Sequence, residues 1–257
     1  MRKHSKLSIV LATFNCADTL QDCLNSIAEQ TVPDVEVIVV DGASTDSTLE
    51  IIKANREMIT HWISEPDKGI YDAWNKAIQL GSGDWFYFIG GDDKLHANDS
   101  IARVMEQIRE LPDETVIAYG SVCLTRMNGS TTRTGAEWDQ IREDMHAQMC
   151  IPHQGAFHAR ALLDRFGGFD NTLEIAGDYK LIMQSLELAA PVFLVGIVVA
   201  DQYAGGKSAL RKHRTLALSE FRKVQVELGY PLSSAWLWAY AKGLLWLIMS
   251  RFRDVRA

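Results

Sequence analysis

The sequence lacks three features that would each point to a particular class of protein. It contains no uncharged apolar stretch of roughly 18 or more residues, so a simple membrane-spanning helix is not expected. Its four cysteines form no CxxC pair and no dense framework, which favours reduced structural thiols in a reducing cytosol over disulfides or a zinc site. The net charge of −7 argues against a dedicated nucleic-acid-binding protein.

Two common nucleotide-binding motifs are also absent. No GxGxxG follows the first predicted strand, which argues against a Rossmann dehydrogenase. The string GGKS at 205–208 fails as a P-loop, because the glycine required at position 201 is Asp201. Neither motif therefore explains what the chain does.

The charge is distributed unevenly along the 257 residues. Residues 205–257 contain ten Lys or Arg and three acidic residues, net +7, which leaves −14 for residues 1–204. We therefore predict an acidic α/β domain at 1–204, followed by a basic, Trp-rich helical tail at 205–257.

Short β-branched runs alternate with segments of helical periodicity in the first half of the chain. The predicted strands are 7–12, 35–40, 60–64 and 85–89, and the predicted helices are 17–30, 46–57 and 69–80, the second capped by Ser44 or Thr45. The run at 7–12 is short and lacks the cleavage pattern of a signal peptide, so we interpret it as a strand. The alternation predicts a three-layer α/β/α fold around a mostly parallel sheet.

The second half of the chain gives a sparser pattern. We predict a strand at 115–122, a hairpin around the Asn-Gly pair at 128–129, a loop containing IPHQGAF, a helix near 159–166 and another opening at about Asp178.

Four loops follow the carboxyl ends of the first four predicted strands, at 13–15, 41–44, 65–69 and 90–93. In open α/β sheets, ligands bind beyond the carboxyl ends of the strands. The four loops therefore converge on one edge, which we predict to be the functional site.

Asp92 and Asp93 follow the most apolar of these strands in the stretch DWFYFIGGDD. One interpretation is a solvated turn in which Asp93 caps the next helix. The other is a divalent cation held by the two carboxylates, with water and substrate phosphates completing its coordination. Gly90 and Gly91 favour the second interpretation because glycine lets the backbone approach a bulky ligand.

Four segments together resemble a known family: SIVLATFN, EVIVVDGASTDST, SEPDKGIYDAWNKAIQLGSGDWFYFIGGDD and AGDYKL. In this order they resemble the inverting family 2 glycosyltransferases, which use nucleotide-sugar donors and have the GT-A fold. The resemblance covers about residues 7–205, is most specific in the long third segment, and is strongest to bacterial enzymes of exopolysaccharide and capsular polysaccharide biosynthesis.

The resemblance implies a metal-dependent donor site. Asp93 would bind Mg²⁺ or Mn²⁺ on the donor diphosphate, and Asp92 would contact the ribose or share the metal. Asp41 would read the base or ribose. The sequence departs from the family pattern at Gly90 and Gly42, where relatives often have a further acid.

Three more residues of the donor site follow from the same resemblance. Thr13 and Asn15 match the family's nucleotide pocket. Lys68 could reach a phosphate, although a surface lysine without a ligand is the more ordinary role.

The resemblance also implies an acceptor side. Transfer at an anomeric carbon requires a general base to accept the proton of the attacking hydroxyl, and Asp178 in AGDY matches that position. Without the family pattern, Asp178 would be interpreted as a helix N-cap. His153 and Gln154 in PHQGAF resemble a segment that approaches the acceptor or donor sugar, whereas His153 alone suggests a structural residue.

The tail contains an apolar segment at 235–249. As a helix it is roughly 22 Å long, short of a hydrocarbon core of about 30 Å. Its aromatic residues and the following arginines suit a membrane interface, so we predict peripheral contact through 235–253. The alternative is a helix packed on the body or in an oligomer interface.

These observations predict a cytoplasmic enzyme, peripheral on the inner face of the cytoplasmic membrane. It would transfer a sugar from a UDP- or GDP-sugar to a lipid-linked saccharide acceptor in cell-surface polysaccharide biosynthesis. One alternative is a catalytically degenerate nucleotide-sugar-binding protein. A weaker alternative is a phosphohydrolase of the haloacid dehalogenase type. The stretch VVDGAST resembles the nucleophile loop of that class, but the loop normally has a second Asp at the position of Ala43.

Overall fold

The computed structural model describes residues 6–32, 35–126, 128–203 and 214–243. The first half alternates strands and helices as predicted. The strands are β1 (Leu7–Thr13), β2 (Val35–Asp41), β3 (His61–Ser64) and β4 (Trp85–Gly90), and the helices are α1 (Ala17–Ala28), α2 (Thr48–Ala54) and α3 (Ile70–Leu80). Each strand lies within one or two residues of its predicted range, whereas α2 is shorter than expected.

The first four strands are all parallel and lie in the order β3-β2-β1-β4. The chain moves outward from β1 to β3 and then returns to place β4 on the other side of β1. This reversal creates a crevice between β1 and β4 at their carboxyl ends, the usual ligand position in open α/β sheets. The register aligns these ends, since Thr13 lies opposite Asp41 and Asp41 lies opposite Ser64.

The second half of the chain extends the same sheet in a mixed arrangement. Its elements are β5 (Lys94–Leu95), α4 (Ser100–Glu110), β6 (Ile117–Thr125), β7 (Thr131–Thr134), α5 (Trp138–Ile141), β8 (Ala156–Ala159), α6 (Arg160–Phe166), α7 (Gly177–Ser185), β9 (Val192–Tyr203) and α8 (Arg214–Glu227). The order continues β4-β8-β6-β9-β5, with β7 paired to β6. The described residues thus form one nine-stranded sheet.

Most predictions for the second half are confirmed. The hairpin is present as β6 and β7, with Gly129 at φ 78°, and the helices α6 and α7 begin within one residue of their predicted starts. The loop predicted around IPHQGAF is partly wrong, because its last residues enter β8, which runs antiparallel between β4 and β6. No strand was predicted at β9.

The predicted cap of α2 is also wrong. The helix begins at Thr48, and the carboxylate of Asp46 accepts a hydrogen bond from the Thr48 backbone N–H at 3.0 Å. Ser44 lies four residues before the helix start, and its hydroxyl accepts from the Asn15 backbone N–H instead of from a helix N–H.

The core lies between β4 and its flanking layers. Residues Trp85 to Ile89 are all buried, because β4 has strands on both sides and helices against its faces. An aromatic cluster covers one face, where the Trp74 ring of α3 lies 5.2 Å from Phe88 and 5.0 Å from Phe169. This packing holds α3 beside the crevice.

Within the predicted tail, the helix at residues 234–243 packs on α8. Within helical residues 234–243, the Trp236 indole donates to the Leu218 carbonyl at 2.8 Å, whereas Trp238 is 65% exposed. No helix among the described residues is long and apolar enough to cross a bilayer. The GGKS string and the predicted membrane-contacting residues beyond 243 lie outside the described ranges.

Candidate active site

Asp41 organises three of the loops at the carboxyl edge. Its carboxylate accepts hydrogen bonds from the hydroxyls of Thr13 at 3.1 Å, Ser44 at 2.5 Å and Ser64 at 2.7 Å, and from the Ser44 backbone N–H at 3.0 Å. The side chain is fully buried. Each of its oxygens accepts two hydrogen bonds, so the carboxylate anchors these loops and has no free lone pair for the nucleophilic attack that a phosphohydrolase of this loop type requires. Its contact with the base or ribose of a nucleotide stays a prediction.

Asn15 connects the β1 and β2 loops from its place in the left-handed region, at φ 48°. Asparagine tolerates this conformation better than most residues. Its side-chain oxygen accepts from the Thr45 backbone N–H at 2.8 Å, and its own N–H donates to the Ser44 hydroxyl at 2.9 Å. The predicted nucleotide-pocket residues Thr13 and Asn15 therefore lie in one hydrogen-bonded unit with Asp41.

Phe14 and Asp67 were missed by the sequence analysis and meet at Gly42. A Cβ atom on Gly42 would lie 2.5 Å from the Asp67 Oδ2 and 3.3 Å from the Phe14 ring. The Phe14 side chain is 62% exposed, which is unusual for a phenylalanine, and it lies between the predicted nucleotide-pocket residues Thr13 and Asn15. The glycine that replaces the second acid of the β2 loop thus makes room for a carboxylate from the β3 loop. The exposed aromatic could have been suspected from its neighbours, but the approach of Asp67 could not.

Asp92 and Asp93 converge over Gly90. A Cβ atom on Gly90 would lie 2.7 Å from the Asp92 Oδ1 and 3.3 Å from the Asp93 Oδ2, so the glycine leaves space between the two carboxylates. Asp93 is 3% exposed, whereas Asp92 is exposed. Burial and the neighbouring charge of Asp92 raise the pKa of Asp93 to about 7, although a hydrogen bond from the Gln154 side chain acts in the opposite direction.

The chemistry of this pair fits a divalent cation that shares its coordination with a ligand. Both groups are hard oxygen donors of the kind that Mg²⁺ and Mn²⁺ prefer. In the part of the chain that the structure describes, no group of three or more His, Cys, Asp or Glu converges to form a complete protein-built metal site. A cation here would therefore take its remaining ligands from water and from a phosphate-bearing molecule.

Asp178 lies in the first turn of α7, two residues after the N-cap position at Ala176. It is therefore not the N-cap of this helix, although a carboxylate in the first turn is favoured by the helix dipole. The Tyr71 hydroxyl of α3 lies 3.1 Å from its Oδ1, and the Tyr179 backbone N–H lies 2.8 Å from the same atom. With 17% of its side chain exposed, Asp178 remains accessible from solvent.

The His153–Gly155 turn links the two acidic centres. The His153 Nδ1 lies 3.9 Å from the Asp178 Oδ2, and its ring stacks on Trp74 with centroids 4.5 Å apart. Burial lowers the pKa of His153, which favours the neutral imidazole. On the other side of the turn, Gln154 hydrogen-bonds Asp93. The structure thus brings both predicted sugar-binding residues into contact with the predicted acids.

Lys68 lies apart from these contacts. Its side chain is exposed just before α3, and its backbone N–H donates to Asp72 at 3.1 Å. Its contact with a phosphate stays a prediction.

The fold is that of the GT-A class of transferases, and comparison with known proteins agrees. Residues 8–162 match the family described as Glycosyl transferase family 2. Because the match covers more than half of the chain, the protein belongs to this family, as the sequence motifs predicted.

Two curated relatives extend the comparison. A PGL/p-HBAD biosynthesis glycosyltransferase of Mycobacterium bovis is 35% identical over 201 residues, which are 76% of this chain and 75% of that protein. The hyaluronan synthase of Pasteurella multocida is 31% identical over 213 residues, 80% of this chain but only 21% of the synthase. The likeness to the synthase therefore concerns one part of a much longer protein.

Solved structures confirm the GT-A fold. The mannosyltransferase from Pyrobaculum calidifontis, in complex with GDP-Man and Mn²⁺, has a TM-score of 0.71 at 17% identity and covers 96% of this chain and 75% of its own. Residues 1–349 of S. aureus TarS, in complex with UDP-GlcNAc, have a TM-score of 0.69 at 20% identity, with coverages of 93% and 71%.

Proposed function

We propose that this glycosyltransferase inverts the anomeric configuration of the sugar as it transfers it from a nucleotide-diphospho-sugar to a saccharide hydroxyl. The proposal rests mainly on one observation: the His153–Gly155 turn lies between two separate groups of acids. Asp92 and Asp93 offer oxygen ligands at the carboxyl edge, while Asp178 lies on a helix beyond His153. One centre suits a departing diphosphate and the other suits an attacking hydroxyl.

The donor nucleotide would occupy the crevice between β1 and β4. The exposed Phe14 ring offers a face for stacking of the base, and Asp67 and Asn15 offer hydrogen-bonding groups beside it. The UDP-GlcNAc and GDP-Man complexes of the structural relatives support a UDP- or GDP-sugar as the donor.

Asp93 and Asp92 would hold a Mg²⁺ or Mn²⁺ ion, in line with the Mn²⁺ of the mannosyltransferase complex. When bound, the cation supplies charge neutralisation for the diphosphate leaving group. Asp93, kept partly protonated near neutral pH by burial and by Asp92, would give up this proton when the cation binds.

Asp178 would act as the general base. As the acceptor oxygen forms its bond to the anomeric carbon, the bond from that carbon to the diphosphate oxygen breaks, and the hydroxyl proton passes to a carboxylate oxygen of Asp178. The Tyr71 hydroxyl lies 3.1 Å from one oxygen of this carboxylate, and the His153 Nδ1 lies 3.9 Å from the other. A single displacement of this kind inverts the anomeric configuration.

We further propose that the acceptor is a lipid-linked saccharide presented at the inner face of the cytoplasmic membrane. In the described part of the tail, Leu237 is 50% exposed and Trp238 is 65% exposed, with the Lys242 ammonium 4.7 Å from the Trp238 ring centroid. An exposed apolar side chain, an exposed indole and a lysine suit a lipid interface.

A combined binding and turnover experiment tests the proposal. UDP and GDP are titrated calorimetrically with and without Mn²⁺, and release of the nucleotide from UDP- and GDP-sugars is followed with candidate saccharide acceptors. Asp178→Asn should bind the nucleotide like the wild type and lose about 1000-fold or more of turnover. Asp164→Asn on α6, whose side chain is 63% exposed, is the matched control.

Binding without transfer across a broad acceptor screen would instead favour a nucleotide-sugar-binding protein. Near-normal turnover of Asp178→Asn would exclude this carboxylate as the base.

A further inference from the structure

We infer that Glu220 of α8 is a positioning residue for Asp178, so that the basic C-terminal segment takes part in building the acceptor side of the site. The inference rests on the proposed function, in which Asp178 is the general base. Nothing in the sequence motifs points to Glu220, which lies outside the segments that carry the family resemblance.

Glu220 binds three consecutive backbone N–H groups just before Asp178. Its Oε1 accepts from the N–H of Glu174 at 2.9 Å, and its Oε2 accepts from the N–H groups of Ile175 at 2.8 Å and Ala176 at 2.9 Å. Ala176 is the N-cap position of α7 and has no side chain that can cap a helix. A carboxylate from another helix therefore accepts from the N–H of the N-cap residue and from the two N–H groups before it, and it places negative charge at this helix start.

The loop that Glu220 fixes in turn controls the hydroxyl beside the base. Tyr71 donates to the Ile175 carbonyl oxygen at 2.5 Å, and the same hydroxyl lies 3.1 Å from the Asp178 Oδ1. A hydroxyl has one proton and can also accept. When Asp178 has taken up a proton, it can donate to the Tyr71 oxygen while Tyr71 donates to Ile175. The position of residue 175 thus sets the geometry in which Asp178 receives its proton.

Other contacts hold α8 on α7 independently of Glu220. The Gln225 amide donates to the Tyr179 hydroxyl at 2.9 Å, Lys180 pairs with Glu227 at 2.5 Å, and the rings of Tyr179 and Phe221 lie 4.3 Å apart. Replacement of Glu220 should therefore release the 174–176 loop without undocking the helix.

The test uses Glu220→Gln in the full-length protein, with Glu227→Gln as the matched control on the same helix. Glutamine keeps the size of the side chain but turns an NH₂ group toward N–H donors, so at least one of the three hydrogen bonds is lost.

We expect the kcat of Glu220→Gln to fall by about 10- to 100-fold, because a general base misplaced by a fraction of an ångström is far less effective. The KM for the donor and the affinity for UDP or GDP should stay within about twofold of the wild type. Glu227→Gln should keep near-normal kcat.

Amide hydrogen exchange provides a readout that does not depend on transfer. In Glu220→Gln, protection should decrease at 174–178 and remain unchanged in β1 and β4. Unchanged protection at 174–178 would overturn the inference, as would a folded Glu220→Gln with normal kcat. A parallel loss of donor affinity and kcat would also overturn it, because the role would then be general to the fold.

Failure of the proposed function would look different. In that case the wild type would show no transfer, or Asp178→Asn would remain active, whereas the exchange measurement would still report whether Glu220 holds the loop.

Discussion

The ends of β2 and β4 both carry a buried carboxylate, and the protein compensates the two charges to different degrees. Asp41 accepts hydrogen bonds from Thr13, Ser44 and Ser64. Asp93 lies beside the carboxylate of Asp92, with its pKa raised to about 7. Asp41 is therefore satisfied by the fold itself, whereas Asp93 retains an unfavourable charge that a bound cation would stabilise. The comparison separates a structural acid from a candidate metal ligand at the same edge of the sheet.

The largest expected effect is on turnover at the β4 end. Asp93→Asn should lower nucleotide release from the donor sugar by about 1000-fold or more, because electrostatic stabilisation of the leaving group is lost. The measurement is kcat/KM with saturating Mn²⁺, with Asp164→Asn as the control. A variant that retains a tenth of the wild-type activity would remove the distinction between Asp93 and an ordinary buried acid.

The same substitution should stabilise the metal-free protein. The folded-state pKa of Asp93, about 7, lies above its ordinary value of 3.8, so the contribution of this group to stability is fully present below pH 3.8 and is lost as the pH rises to 7. The gain in unfolding free energy of Asp93→Asn over the wild type should therefore grow between pH 4 and pH 7 and level off at up to roughly 4 kcal/mol. Denaturant titrations at several pH values measure this difference. A pH-independent difference would contradict the raised pKa.

The equivalent substitution at the β2 end should have the opposite sign. Asp41→Asn keeps one acceptor oxygen but turns an NH₂ group toward donors, and we expect the unfolding free energy to fall by about 2–3 kcal/mol at pH 7. Asp139→Asn, whose side chain is 85% exposed, should change it by less than about 0.5 kcal/mol. Equal stability of Asp41→Asn and the wild type would mean that this carboxylate is not a structural anchor.

The smallest expected effect concerns the part of the donor pocket that would bind the nucleobase. Phe14→Ala should weaken UDP or GDP binding by about tenfold, because the stacking face is removed. The thermal midpoint should stay nearly unchanged, since this ring is 62% exposed. Calorimetric titration of both nucleotides measures the change. An unaltered affinity of Phe14→Ala for UDP and GDP would mean that the nucleobase does not stack on this ring.

The fold of the first half was predictable because its signals are local. Strand and helix periods, with loops at regular intervals, placed Asp41, Asp92 and Asp93 at the carboxyl ends of parallel strands before any contact was known. β8 and β9 escaped prediction for physical reasons. β8 has only four residues and depends on its neighbours β4 and β6, whereas β9 is interrupted by Gly196 at φ 78° and shifts register against β6.

The sequence by itself determined the parallel sheet of the first half, the family and the acids at the carboxyl edge of the sheet, because periodicity and motifs depend on residues close together in the chain. The tertiary structure alone decided that Asp41 is saturated, that Asp67 reaches Gly42, and that Glu220 holds the loop before Asp178. Apart from the two hydrogen bonds from Ser44 to Asp41, these contacts join residues 23 to 46 positions apart. Burial and hydrogen bonding across such distances depend on strand order and helix docking, which no local pattern specifies.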